Sequence, residues 1–160
     1  MEKSNITKPT LYHYFGSKKG LLEAILEKYG NKLLDIVRVK SLYDRDITKN
    51  LNELSLAIMN FAKENAEFYR MQLAMIFSNP ENEANIAVSR MNEKIYNLIE
   101  NLFKLASKDH GNMSGRHREY ALTFLGMINT YISIALNGDT ELNDKIIYKA
   151  VHQFMHGIFS

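Results

Sequence analysis

Thr7 to Leu22 reads TKPTLYHYFGSKKGLL, and its residue types differ from those of every later segment. Thr7 can cap a short helix, and Pro9 suits the first turn because no N–H is required there. Gly16 permits a sharp left-handed exit, after which Ser17 can cap the next helix. A helix over 7–15 is therefore only about two turns long. Leu11, Tyr14 and Phe15 can turn inward, since residues three and four apart share a face, leaving Thr7, Lys8, Thr10, Tyr12 and His13 outside. Hydroxyls, an ammonium and an imidazole on one short face suit phosphate oxygens and base edges, and Lys18 and Lys19 add charge at the next helix start. An ordinary helical corner with a polar outer face would carry the same residue types.

Downstream of this segment the pattern is helical. Leu22, Ile25, Leu26, Tyr29, Leu33, Ile36 and Val37 recur at mostly three- and four-residue spacing, which predicts a connecting helix over 17–41. Beyond the polar break at Tyr43–Asp46, Asp46 suits the cap of a helix whose stripe is Ile47, Leu51, Leu54, Ile58 and Phe61. Asn65 can cap the next, EFYRMQLAMIF, which is apolar nearly all round and so central or cavity-lining. Ser78-Asn79-Pro80-Glu81 reads as another helix start, followed by Ala84, Val88, Met91, Ile95, Leu98, Leu102 and Leu105 in alternation of four and three. A Gly-containing loop, KDHGNMSGR, precedes two last helices at about 116–137 and 143–158, with Gly138 at the left-handed position between them. With no strand alternation anywhere, the expected class is all-α.

Composition bounds the function. The chain has 160 residues, 46% of them apolar and 24% charged, as in an ordinary folded domain, and only two prolines to break helices. Cysteine is absent, which excludes disulfides, thiolate metal sites and thiol nucleophiles and suits a reducing cytoplasm. The net charge of +2 conceals an asymmetry, since residues 1–49 hold ten Lys/Arg against six Asp/Glu. The N-terminus has no apolar region of the signal-peptide kind. Tyr120–Gly138 is free of formal charge, but Thr123, Asn129, Thr130, Ser133 and Asn137 interrupt it, so a helix buried against other helices is expected in place of a membrane span. His152 and His156 have the i, i+4 spacing of metal ligands without a third partner nearby, so no metal or other cofactor is expected. No phosphate loop, nucleophile elbow or useful carboxylate pair is present, and no enzyme is expected.

The run Thr7–Leu22 resembles the recognition helix and following turn of the TetR family of bacterial transcriptional repressors. The resemblance implies an all-α chain in two parts: a partial helix-turn-helix DNA-binding domain over 1–41, and a TetR-type ligand-binding and dimerisation domain over 42–160. It further implies a homodimer on palindromic operator DNA, released when a small molecule occupies the second domain. Base and phosphate contacts would fall on Thr7, Lys8, Thr10, Tyr12, His13, Tyr14 and Lys18. The family pattern has two more helices, roughly thirty residues, before the recognition helix. Six residues precede Thr7 here, so the expectation is an N-terminally truncated member with weakened operator binding, the alternative being a dimerising, ligand-sensing module without competent DNA binding.

Two further sets of residues follow. Phe61, Tyr69, Met71, Met75, Phe77, Phe103, Phe124 and Tyr131 offer adaptable apolar surface for a small apolar or aromatic effector with one polar end, although such stripes are more often plain core. The resemblance maps the dimer interface onto the last two helices, with Leu125, Ile128, Ile132, Leu136, Val151, Phe154, Met155 and Ile158 facing the partner.

Overall fold

The computed structural model describes residues 7–9, 13 and 16–159. Every regular element among them is helical. Lys8, Pro9 and His13 are helical, Gly16 takes a positive φ of 79°, and Ser17 then caps α1 (Lys18–Ile25) by accepting from the Gly20 N–H at 3.0 Å. The expected connecting helix 17–41 is present but not uniform. A π-helical turn, Leu26–Gly30, separates α1 from α2 (Asn31–Lys40), and the Asn31 N–H reaches back five residues to the Leu26 carbonyl. Gly30 is buried here, and a Cβ on it would lie 2.5 Å from the Met91 Sδ. The missing side chain lets two helices approach.

Asp46 caps α3 (Ile47–Glu64), as its position predicts, by accepting from the Lys49 N–H at 3.0 Å. Asn65 does not cap α4 (Ala66–Ile76) through its side chain; its amide donates backwards to the Phe61 carbonyl at 3.0 Å and closes α3 instead. The start signal at Ser78–Glu81 also falls differently. Residues 78–82 form a turn and Asn82, not Ser78 or Asn79, caps α5 (Glu83–Ala106). A short 3₁₀ turn, Gly111–Met113, leads to α6 (His117–Leu136), and α7 (Asp144–His156) follows Gly138, whose φ is 81°.

One apolar core joins the helices; α1 adds no fully buried residue but packs Ile25 against it. Leu33, Leu34 and Val37 of α2 lie in the same core as Leu51, Leu54 and Ile58 of α3, so the corner at 41/42 is a bend in the chain within continuous packing. On α5 the buried stripe includes Val88, Met91, Ile95, Ile99, Leu102 and Ala106, and the seven-residue alternation expected through Leu98 and Leu105 drifts to half-buried positions at its edge. A helix of about 3.6 residues per turn cannot keep a 3.5-residue stripe on one side unless it supercoils. Two aromatic groups fill the ends of the core: Tyr29, Phe61, Phe68 and Tyr69 at one, Phe103, Tyr120, Phe124 and Phe154 at the other. Among the described residues no helix is long and apolar enough to cross a membrane. The uncharged stretch of α6 is instead half sunk in the core, through Ala121, Phe124, Leu125, Ile128 and Ile132.

Candidate functional site

The first candidate surface is the N-terminal end. Thr7, Lys8, His13, Lys18 and Lys19 are all exposed, as a polar contact face requires. Thr10, Tyr12 and Tyr14 lie outside the described residues, as do Leu11 and Phe15. Lys18 and Lys19 begin α1, where the capped but otherwise unpaired N–H groups of the first turn already favour an anion. No acidic side chain occupies that first turn. Phosphate oxygens are the anions this arrangement fits, and each lysine that neutralises one releases counterions.

The second candidate is a groove of about 670 Å³ between α4, α5 and α6. Leu73, Ile76, Tyr96, Ile134 and Leu136 give it apolar walls, while Asn92, Asn129, Thr130 and Ser133 are its polar members. Beneath it, sharing Ile76, Asn92 and Asn129, lies a void of about 10 Å³, bounded also by Leu33 and Val37 of α2, Ile58 of α3, Tyr69 and Gln72. That is room for about one water molecule. The Tyr69 hydroxyl donates to Asn129 Oδ1 at 2.5 Å, and burial holds its pKa well above the ordinary phenol value, so it is a neutral donor. Gln72 is only 3% exposed, yet its amide makes no hydrogen bond to a described residue, and neither does that of Asn92. Among the described residues no fully enclosed side-chain N or O lacks a partner, so the free amide of Gln72 opens onto the space it borders. At the rim the Arg70 guanidinium donates to the Leu136 carbonyl, a cation on the C-terminus of α6. The back of the groove is braced by Arg118, which bonds both Glu93 oxygens at 3.1 and 3.2 Å, reaches Glu100 at 3.4 Å and lies over the Tyr96 ring.

The aromatic and Met residues expected to hold a ligand are not brought together around one cavity. Phe61, Phe103 and Phe124 are sealed in the core, and Tyr69 borders the void. Met71 and Met75 line a separate cleft of about 520 Å³ against α1, where Lys18, Leu22 and Ile25 form the other wall. Phe77 stands just past the end of α4, 85% exposed at the rim of the large groove. Tyr131 faces a shallow trough between α6 and α7.

The register of the expected dimer face also needs correction. Leu125, Ile128, Ile132 and Val151 are buried within the chain itself, and Leu136, Phe154 and Met155 are half-buried against its core. Of that set only Ile158 is fully outward, at 79% exposed. Both apolar stripes of α6 are needed to close the protomer, so the outer face is formed by the smaller residues Thr123, Gly126 and Thr130 with Met127 and Ile134 beside them. Space above Gly126 is open. His152 and His156 stack with ring centroids 4.4 Å apart, and no group of three or more metal-ligating side chains occurs among the described residues.

Reading by apolar period passes over the residues that shape the groove. Asn85, 8% exposed, donates its amide to the carbonyls of Met75, Ile76 and Ser78 at 3.0, 3.0 and 3.1 Å and thereby ties the end of α4 to α5. The available signal is an amide where the helical period expects an apolar side chain: Asn85 one turn before Ser89, Gln72 between Met71 and Leu73, and Asn129 one turn after Leu125.

Comparison with known proteins bears on the N-terminal segment and on the chain as a whole. The family model for bacterial regulatory proteins of the tetR family matches residues 1–25. The HTH-type transcriptional activator FasR of Mycolicibacterium smegmatis is 23% identical over 156 residues, which cover 98% of this chain and 69% of that protein. The similarity is thus to transcriptional regulators of the TetR family.

Proposed function

We propose that this TetR-family regulator binds operator DNA as a homodimer and that a small molecule in the groove between α4, α5 and α6 alters its affinity for that DNA. The observation that carries the reading is the exposed set Lys8, Lys18 and Lys19, which lies in the segment matched by the family model. Support for the dimer comes from α6 and α7, where Thr123, Met127, Tyr131, Phe154 and Ile158 form a largely apolar trough, with Glu119 at its edge, that a second copy can cover. Support for the effector comes from the groove, whose floor touches Leu33 and Val37 of α2 through the underlying void. Since α2 continues through the π-helical turn into α1, a ligand that reshapes the floor acts on the helix that bears Lys18 and Lys19.

Repression follows where the operator overlaps a promoter. The same docking upstream of one gives activation, the role for which the mycobacterial relative is named, so the sign lies in the operator's position. The experiment is selection of random 40-base-pair duplexes by the purified full chain, then fluorescence anisotropy on the enriched sequence. A palindromic motif bound by two protomers, weakened by Lys18→Ala at all sequences alike, is expected. No enriched motif would leave a dimerising, ligand-sensing module in place of a DNA binder.

A further inference from the structure

We infer that the groove selects an uncharged ligand: an apolar body with one neutral hydrogen-bonding head, read by the carboxamides of Gln72, Asn92 and Asn129. This rests on the reading of the groove as the effector site. An amide that bonds no protein group and faces a small space is open to a hydrogen-bonding partner there. Gln72, only 3% exposed as a residue, presents such an amide to the void beneath the groove. Asn92 borders both spaces and is likewise without a hydrogen bond to a described residue. Asn129 is half committed: its Oδ1 accepts from the Tyr69 hydroxyl, which turns its Nδ2 donors towards other partners. The three amides thus present donors and acceptors together, which matches a primary amide, or a hydroxyl, and not a group of one polarity.

Charge argues for the same class. Among the residues lining groove and void, Arg70 alone carries a formal charge, and its guanidinium is already placed on the Leu136 carbonyl at the end of α6. No Asp or Glu lines either space, so an ammonium head would find no counter-ion. A carboxylate driven to the floor would meet the neutral Tyr69 and three neutral amides, and would keep its proton or stay in water. A floor of neutral amides rewards a neutral head.

The probes are decanamide, decanoate and decylamine, equal in chain length and differing in head charge, measured by calorimetry and thermal shift on the full chain at pH 7.5. Decanamide is expected to bind at least about tenfold more tightly than either ion. Gln72→Leu, which puts an apolar group of similar size on the void, is expected to leave the free protein folded while weakening decanamide by about tenfold. Ser133→Trp, in the groove wall, should abolish saturable binding. Preference for decanoate or decylamine, still lost in Ser133→Trp, would overturn the neutral-head assignment and leave the groove as the site. Binding indifferent to Ser133→Trp, or no binding by any probe, would overturn both.

Discussion

Asn85 offers the sharpest test of how the groove is held. Its amide serves the carbonyls of Met75, Ile76 and Ser78, where α4 ends and its last C=O groups have no helical partner, and its Oδ1 accepts from the Ser89 hydroxyl at 3.2 Å. A buried hydrogen bond contributes about 1 kcal/mol net, and a carbonyl left without a donor costs about as much again. Asn85→Ala removes both N–H donors at once, so the cost should be about 2–3 kcal/mol. For a chain of this length that lowers the melting temperature by roughly 4–12 °C. Asn85→Asp keeps the shape but turns oxygen towards three oxygens, and its cost at pH 7 should reach about 3–4 kcal/mol. The sign with pH is definite: carbonyl neighbours disfavour the carboxylate and raise its folded pKa, so the penalty shrinks as pH falls and the protonated acid donates one bond again. Urea melts at pH 7 and pH 4.5, at one fixed protomer concentration, read all of this. An Asn85→Asp protein as stable as its parent at pH 7, or one whose deficit does not narrow at pH 4.5, would refute the assignment of these bonds as the tie between α4 and α5.

Other consequences can be measured in the same preparations. Lys18→Ala should lower the salt dependence of operator binding by about one unit of log K per log salt for each phosphate that Lys18 neutralises, and an unchanged slope would remove Lys18 from the interface. If the chain pairs through α6 and α7 as proposed, Met127→Arg on the outer side of α6 should give a monomer in light scattering, whereas a variant still dimeric would place the partner elsewhere. Because the Tyr69 hydroxyl has its pKa raised by burial, the unfolded chain loses this proton first, so stability falls as pH rises above about 10. Tyr69→Phe should lack that component of the alkaline slope, and equal slopes from pH 9 to 11 would contradict it. Gly30→Val should cost about 2–3 kcal/mol by overpacking against Met91, with partial recovery in the double variant carrying Met91→Ala; independent, additive costs would deny the contact.

Local chemistry was legible in the residues wherever one side chain decides one backbone feature. Ser17, Asp46 and Gly138 act as their types predict, because capping and left-handed turns depend on a few neighbouring atoms. Asn65 and Ser78–Glu81 misled for the same reason: several adjacent residues were chemically able to cap, and packing chose among them. The two faces of α6 could not be assigned from an uncharged helix whose stripes are both apolar. Only the neighbours α3, α5 and α7 show that Leu125, Ile128 and Ile132 close the protomer. The polar floor was the least visible feature, since Gln72, Asn92 and Asn129 come from three helices and only folding brings them beside one void. Family resemblance supplied the DNA reading, and the exposed lysines are consistent with it; the groove chemistry came from packing alone.

The close approach at Gly30 has a mechanical meaning. It is the point where the long helical rod of α1, the π-helical turn and α2 touches Met91 of α5 with no side chain of its own in between. Lys18 lies twelve residues before it, about 18 Å along the axis at 1.5 Å per residue, while Leu33 over the void lies only about 5 Å beyond it. Were the rod to pivot there, its arms would be of unequal length. A tilt that moved Leu33 by about 0.5 Å would carry Lys18 through about 2 Å in the opposite sense, a gain near fourfold set by the position of one glycine. On that geometry small adjustments of the floor would be geared up into displacements comparable with the reach of a hydrogen bond to phosphate.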